Sequence, residues 1–488
     1  MEKNLKYKEI QQEVMNYYGN KDNNSWRNKF HIEMPLGLVN DPNGLAYYND
    51  TFHVFYQWNP FGCEHENKCW GVVRTKDFVN YTVPQIVLKP DDWFDKDGCY
   101  TGGAYIKDDI LKLFYTGNVK GENGERISYQ CLADYNNVGM AEKKGPVIEK
   151  QPEGYTAHFR DPMIFKKDDI YYMILGIQNE HLKGRVVLYK SYDIEKWEYT
   201  GELKTNMKDF GYMWECPNVF EIDEEKYALI FSPQGLKAEE YKYQSIYQSG
   251  YVIGSLNMKE LSLDNHSEFK ELDMGFDFYA PQIFDYNGEI VMLAWAGSGS
   301  EEKSEYPTTD YGWVFGLTMP RVLEYKNNIL YQRPFELMGN LRNTKIIELE
   351  NEVFDGYRFK SDSRRIEFQL DLSLETCTSA ELKFHFADEY ISVNYNKETE
   401  ECTVDRSNMK LGGKGKRKFK LKAKNELRLH AFIDNSIMEI YYQDGVEVTT
   451  LMYFPLNDDF EIEIMENVRI NKLTIWSLKE IEYLDKTE

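Results

Sequence analysis

Cysteine and proline are both scarce in this chain of 488 residues, at 7 and 15 respectively. The cysteines (63, 69, 99, 131, 216, 377 and 402) are odd in number and scattered, which excludes a disulfide framework and suits a reducing cytoplasm. "CEHENKC" at 63–69 has no common zinc spacing and no second ligand pair, so no metal and no cofactor are expected. No apolar run approaches the roughly 20 residues of a membrane span. The opening "MEKNLKYKEIQQEVMNYYGNKDNNSW" is charged throughout and lacks the apolar segment of a secretion signal, so a cytoplasmic location is expected. Positive charge is also short. With 58 Lys and Arg against 81 Asp and Glu, the net charge of −23 argues against nucleic acid or an anionic membrane as partner. One basic run, "KLGGKGKRKFKLKAK" from Lys410, goes against this trend and reads as an exposed hairpin.

Aromatic residues are abundant. They make up 15% of the chain (37 Tyr, 27 Phe, 9 Trp), which fits strand-rich structure and sugar-stacking surfaces alike. The length implies two or three domains.

An internal repeat organises the first part. Five times an apolar pair, a short polar turn and a second apolar run follow one another. They read "LAYYNDTFHVFYQW" from Leu45, "AYIKDDILKLFYTG" from Ala104, "IFKKDDIYYMILG" from Ile164, "VFEIDEEKYALIFSP" from Val219 and "IFDYNGEIVMLAWAG" from Ile283. The starting points lie 59, 60, 55 and 64 residues apart. Each unit is a β-hairpin in its pattern, and most continue into a further strand-like run. Five such units predict a five-bladed β-propeller over residues 30–340, after an N-terminal extension, 1–29. From about 350 to 488, short alternating strands such as "AELKFHFA" and "FEIEIM" predict a C-terminal β-sandwich. The fold class is therefore all-β. With no low-complexity linker between them, the two parts are expected to pack together.

In a propeller the segments just before the five apolar pairs converge on the central cavity. They are "NDPNG" from Asn40, "YTGG" from Tyr100, "FRDPM" from Phe159, "WECPN" from Trp214 and "FYAPQ" from Phe278. Three of them supply a carboxylate: Asp41, Asp161 and Glu215. A single Asp or Glu at a strand end reads most simply as turn chemistry. Three in equivalent places repel one another, a cost that points to function. Trp70, Trp214, Tyr100, Tyr279 and Trp313 offer rings for stacking, and Asn40, Gln57 and Arg160 offer hydrogen bonds. Two carboxylates within aromatic walls suit glycoside hydrolysis, in which one acid protonates the leaving oxygen and the other attacks the anomeric carbon.

These motifs resemble glycoside hydrolase family 32. "LVNDPNG" is similar to the family's nucleophile motif, "FRDP" to its transition-state motif and "ECP" to its acid/base motif; "FYQWNPFG", "YTGGA", "DFYAPQ" and "FIDNSIMEIYYQDG" support the likeness from about Phe30 to about Trp476. The resemblance implies Asp41 as nucleophile, Glu215 as general acid/base and Asp161 as stabiliser of the fructosyl oxocarbenium. Asn40, Gln57, Trp70, Tyr100, Thr101 and Arg160, with Tyr279 and Trp313, would bind substrate. Val39, Thr101, Gly103 and Asn218 depart from the family's usual residues without touching a catalytic carboxylate. The implied activity is a retaining β-fructofuranosidase acting on sucrose 6-phosphate, sucrose or both. Alternatives are a fructan hydrolase, a fructosyltransferase and a catalytically silent sugar-binding propeller; arabinan-cleaving propellers use a similar acid set. Lys68 and His65, before Trp70, are candidate cations for the leaving-group side by position alone. A homodimer through the sandwich remains open.

Overall fold

Each of the five repeated units folds as an antiparallel hairpin, and its turn residues show why. Asn49–Asp50, Asp108–Asp109, Asp168–Asp169 and Asn287–Gly288 all have positive φ, between 50° and 84°. This is the two-residue turn whose twist matches that of the flanking strands, and Asn, Asp and Gly tolerate it best. The structure is a computed structural model that describes residues 2–19, 24–137, 139–298, 300, 302–375, 377–464 and 468–484.

Every hairpin opens a sheet of its own, giving five sheets of seven, four, four, five and five strands. Their first strands are Gly37–Tyr48, Cys99–Lys107, Tyr155–Lys167, Met213–Asp223 and Tyr279–Tyr286. Each first strand touches the next, and the fifth touches the first, so they stand in a ring. The first sheet also draws in distant chain: Trp313–Val314 pairs with its inner strand, and Glu482–Leu484 runs parallel to Asn80–Thr82. At one end of the ring the leading apolar residues Leu45, Ala104, Ile164, Val219 and Ile283 line a cavity of about 610 Å³. The acids precede these residues in sequence and gather further along the same strands.

The helix Glu2–Gly19 lies against the first sheet. Tyr7 and Val14 are buried, Tyr7 meets Phe61 edge-on at 5.0 Å, and Gln11 Nε2 donates to the Pro84 carbonyl at 2.8 Å. Among the described residues no helix is long and apolar enough to cross a membrane.

From Arg342 onward the chain forms two six-stranded antiparallel sheets around one core. The alternation is direct: Leu382, Phe384 and Phe386 are buried, whereas Glu381, Lys383 and His385 between them are partly exposed. In the basic run, Lys416–Lys420 forms an outer strand of the second sheet, paired with Glu401–Asp405.

The two parts are joined through buried charge. Arg321 is fully buried and donates to Glu439 Oε2 from Nε and Nη2 at 3.0 and 2.6 Å, and to Asp273 Oδ2 at 3.1 Å. His31 bridges Asp434 and Glu439 at 3.0 and 3.2 Å. Breaking such a pair on one side strands the other charge away from water. This is the packing expected from the missing linker.

Candidate active site

All five inner strands lose register with their partners at the same place. The break falls between Val39 and Pro42, Tyr100 and Gly102, Arg160 and Met163, Glu215 and Asn218, and Tyr279 and Gln282. A bulge kinks its strand and re-aims a side chain, so five aligned bulges turn five sets of side chains toward one place. Asp161, Cys216 and Ala280 sit in the left-handed region, with φ of 65°, 48° and 51°, and each precedes a proline. For a non-glycine residue that conformation costs of order 1 kcal/mol, which the surrounding sheets must hold in place.

Asp41 is fixed through both oxygens. Asn40 Nδ2 donates to Oδ1 at 3.0 Å and Thr101 Oγ1 to Oδ2 at 2.5 Å. Asn40 is held in turn by Gln57 Oε1, which accepts at 2.6 Å, and by the buried Lys68, whose Nζ donates to Asn40 Oδ1. Glu215 is the most heavily bonded of the three acids. Arg160 donates from Nε and Nη2 to Oε1 at 2.9 and 2.6 Å, while Tyr279 and Gln234 donate to Oε2 at 2.5 and 2.7 Å. Asp161 accepts from the Cys216 N–H at 2.9 Å, and its own N–H donates to Thr116 Oγ1 at 3.0 Å. The Cys216 thiol lies between two acids, 3.9 Å from Asp41 Oδ2 and 3.8 Å from Asp161 Oδ2.

Burial and mutual crowding shift the protons of Asp41 and Asp161. Burial raises the Asp41 pKa; the Thr101 and Asn40 hydrogen bonds oppose it, while the Glu215 charge adds to it. Asp161 is pushed up to about 7, by burial first and then by the Glu215 and Asp41 charges, with Arg160 opposing. Burial also lowers Lys68 to about 7, against the attraction of Asp41.

The structure brings Asp41, Asp161, Glu215, Asn40, Gln57, Thr101, Arg160 and Tyr279 into this single network. Three tryptophans expected there are elsewhere. Trp214 is fully buried against Phe231, with Nε1 donating to the Phe210 carbonyl at 2.5 Å. Trp70 is fully buried among Phe55 and Tyr115, with Nε1 donating to the Tyr100 carbonyl at 3.0 Å, so it supports the strand behind the site. Trp313 lies in the core, with the Arg27 guanidinium 3.9 Å above its ring. Trp70 and Trp214 pack into apolar layers between neighbouring sheets. Tyr100 is only partly exposed, and its charge environment includes Arg126 and Arg160. Lys68 points at Asn40 and not at the leaving-group side, and His65 stands edge-on to Trp295 at 5.8 Å. Gln234 and Thr116 escaped sequence reading. They come from second strands of hairpins, where no motif marks them. Thr101 keeps a hydroxyl on Asp41 despite departing from serine, and Asn218 Nδ2 ties the Cys216 carbonyl to that of Pro281, at 2.9 and 3.3 Å.

Comparison with known proteins agrees with this geometry. Residues 31–334 match the glycosyl hydrolases family 32 N-terminal domain, and 336–477 the family 32 C-terminal domain. A sucrose-6-phosphate hydrolase of Bacillus subtilis is 40% identical over 443 residues, 89% of this chain and 90% of that one. The solved sucrose-6-phosphate hydrolase of Lactobacillus gasseri superposes with a TM-score of 0.86 at 29% identity, over 97% of this chain and 96% of that one. A Bombyx mori β-fructofuranosidase variant solved with sucrose gives 0.84 at 26% identity, over 98% of each chain. With both domains matched over most of its length, this chain belongs to glycosyl hydrolase family 32.

Proposed function

We propose that this protein is a retaining β-fructofuranosidase that cleaves sucrose 6-phosphate, and sucrose less well, into fructose and glucose 6-phosphate or glucose. The carrying observation is the convergence of Asp41, Asp161 and Glu215 from three different sheets onto one cluster, with the Cys216 thiol between Asp41 and Asp161 and the Cys216 N–H on Asp161 beside Glu215. Asp41 is the nucleophile: with both oxygens pre-aimed, it attacks the anomeric carbon of the fructosyl unit. Glu215 gives its proton to the departing glucosyl oxygen, then takes one from the water that releases fructose. Asp161, held by the Cys216 N–H, accepts from fructosyl hydroxyls and steadies the positive charge that develops between the two steps. Retention follows from two inversions.

The five sheets in a closed ring support a five-bladed propeller, and the two-sheet part supports a β-sandwich. The division at 30–340 and 350–488, after an extension of 1–29, fits the buried charge pairs between the two parts. Sucrose 6-phosphate is an anionic metabolite that does not leak across membranes, so this reading places the protein in the cytoplasm. The relatives named as sucrose-6-phosphate hydrolases favour that substrate over fructans.

A side-by-side panel of sucrose 6-phosphate, sucrose, inulin and levan tests the reading. The expected order of kcat/KM is sucrose 6-phosphate above sucrose, with both fructans poor. Rapid release of fructose from inulin or levan would overturn the substrate assignment, and no turnover of any would leave a sugar-binding protein.

A further inference from the structure

A phosphate on the glucosyl unit needs cations on the side of the cavity where Glu215 meets the leaving oxygen. Two observations single out one wall. First, Arg160 Nη1 donates to His158 Nδ1 at 3.0 Å. A guanidinium has only donors, so Nδ1 must accept and the imidazole proton sits on Nε2. His158 is half-buried, and that Nε2–H has no partner among the described residues. Second, Arg126 opens the strand Arg126–Tyr135, which runs beside the strand of His158. Ser128 Oγ donates to the Ala157 carbonyl at 3.1 Å and Gln130 Nε2 to that of Phe159 at 3.2 Å. Residues 126, 128 and 130 share one strand face, so Arg126 continues this row. Its guanidinium is exposed and makes no hydrogen bond or ion pair among the described residues, yet it lies within electrostatic reach of Arg160, Glu215 and Tyr100.

Resting on the substrate reading above, we infer that Arg126 and His158, backed by Arg160, form the phosphate-binding subsite for the glucosyl end of sucrose 6-phosphate. Arg126 supplies charge and a forked pair of donors, and His158 adds one N–H from a ring whose tautomer Arg160 fixes. The site answers how a chain of net charge −23 receives an anionic substrate: the long-range field opposes approach, and a local pair of donors captures the phosphate at the rim.

The test measures kcat/KM on sucrose 6-phosphate and on sucrose for the wild type, Arg126→Ala, His158→Phe and His65→Ala. Inhibition of sucrose cleavage by glucose 6-phosphate and by glucose is measured in parallel. Arg126→Ala is expected to lower the ratio of the two kcat/KM values by between about tenfold and a hundredfold, mainly through KM. It should also erase the advantage of glucose 6-phosphate over glucose as inhibitor. His158→Phe should lower the ratio less. Arg358→Ala, an exposed arginine of the C-terminal part paired with Glu461 and Glu463, controls for net charge and should leave the ratio alone. A wild-type preference that survives Arg126→Ala, or that falls only in His65→Ala, overturns this subsite and spares the substrate reading. A wild type without any preference for the phosphorylated sugar refutes the substrate reading itself, and the subsite with it.

Discussion

The Cys216 N–H donates to Asp161 Oδ2 at 2.9 Å, tying the bulge that carries Glu215 to the bulge that carries Asp161. Two acids on different sheets are thereby held in one geometry by the backbone of a neighbouring residue. The arrangement has a measurable cost. Folded Asp161 keeps its proton up to about pH 7, whereas an unfolded aspartate loses it near 3.8. Between those values the folded chain binds more protons, so this group's contribution to stability falls as pH rises.

Asp161→Asn is therefore expected to stabilise the protein while disabling it. The amide oxygen still accepts from Cys216, and the penalty of a buried charge is gone. Melting at pH 8 should shift upward by roughly 2–5 °C, and the gain should vanish well below pH 3.8, where both states are protonated. A variant less stable than wild type at pH 8 would refute the strained-carboxylate explanation.

Lys68 offers a second test. Its ammonium holds Asn40, which holds Asp41. Lys68→Met should reduce kcat on sucrose by about tenfold to a hundredfold while KM changes little, because the nucleophile loses its orientation and a nearby positive charge. Lys68→Arg should not restore the rate, since the longer planar group does not fit the buried site beside Asn40. A loss confined to KM would return Lys68 to the leaving-group side, where the sequence first offered it.

The junction between the two parts carries its own pH signature. Burial opposes charge on His31, but hydrogen bonds to Asp434 and Glu439 outweigh it and lift the pKa from 6.5 to about 9. Its contribution is complete below pH 6.5 and is lost as pH rises through 9. Glu439 is a buried acid held down to about 2 by Arg321 and His31, so its contribution is complete above pH 4.5 and fades toward pH 2. His31→Gln should lose on the order of 3 kcal/mol relative to wild type near pH 6. The difference should shrink above pH 9. Denaturant titrations at the two pH values would show it, and a deficit that does not depend on pH would mean His31 is held neutral.

Much of this was legible in the chain. The five hairpins could be read because period-two apolar runs break at Asn-Asp and Asp-Asp turns, which are local signals. Asp41, Asp161 and Glu215 could be read because each precedes such a run at nearly constant offset. Trp70, Trp214 and Trp313 lie in the interior because an aromatic ring on a strand faces either a cavity or its packing neighbours, and only tertiary packing decides which. Lys68 and Gln234 enter the site through contacts with residues on other segments, which no spacing in the sequence encodes.

The nucleophile carries the whole mechanism. Asp41→Asn is nearly isosteric, so it should keep the fold and less than about a hundredth of the wild-type rate.

Most direct is to catch the intermediate. Glu215→Ala removes both the acid and the base of the second step, but fructosyl fluoride needs no protonated leaving group, so the first step still proceeds and the fructosyl-enzyme accumulates. After acid quench and peptide mapping by mass spectrometry, the fructosyl group is predicted as an ester on Asp41, within the "NDPNG" segment. A fructosyl group found on Asp161, or none on any carboxylate while fluoride is still released, would contradict the assignment of Asp41 and the retaining mechanism built on it.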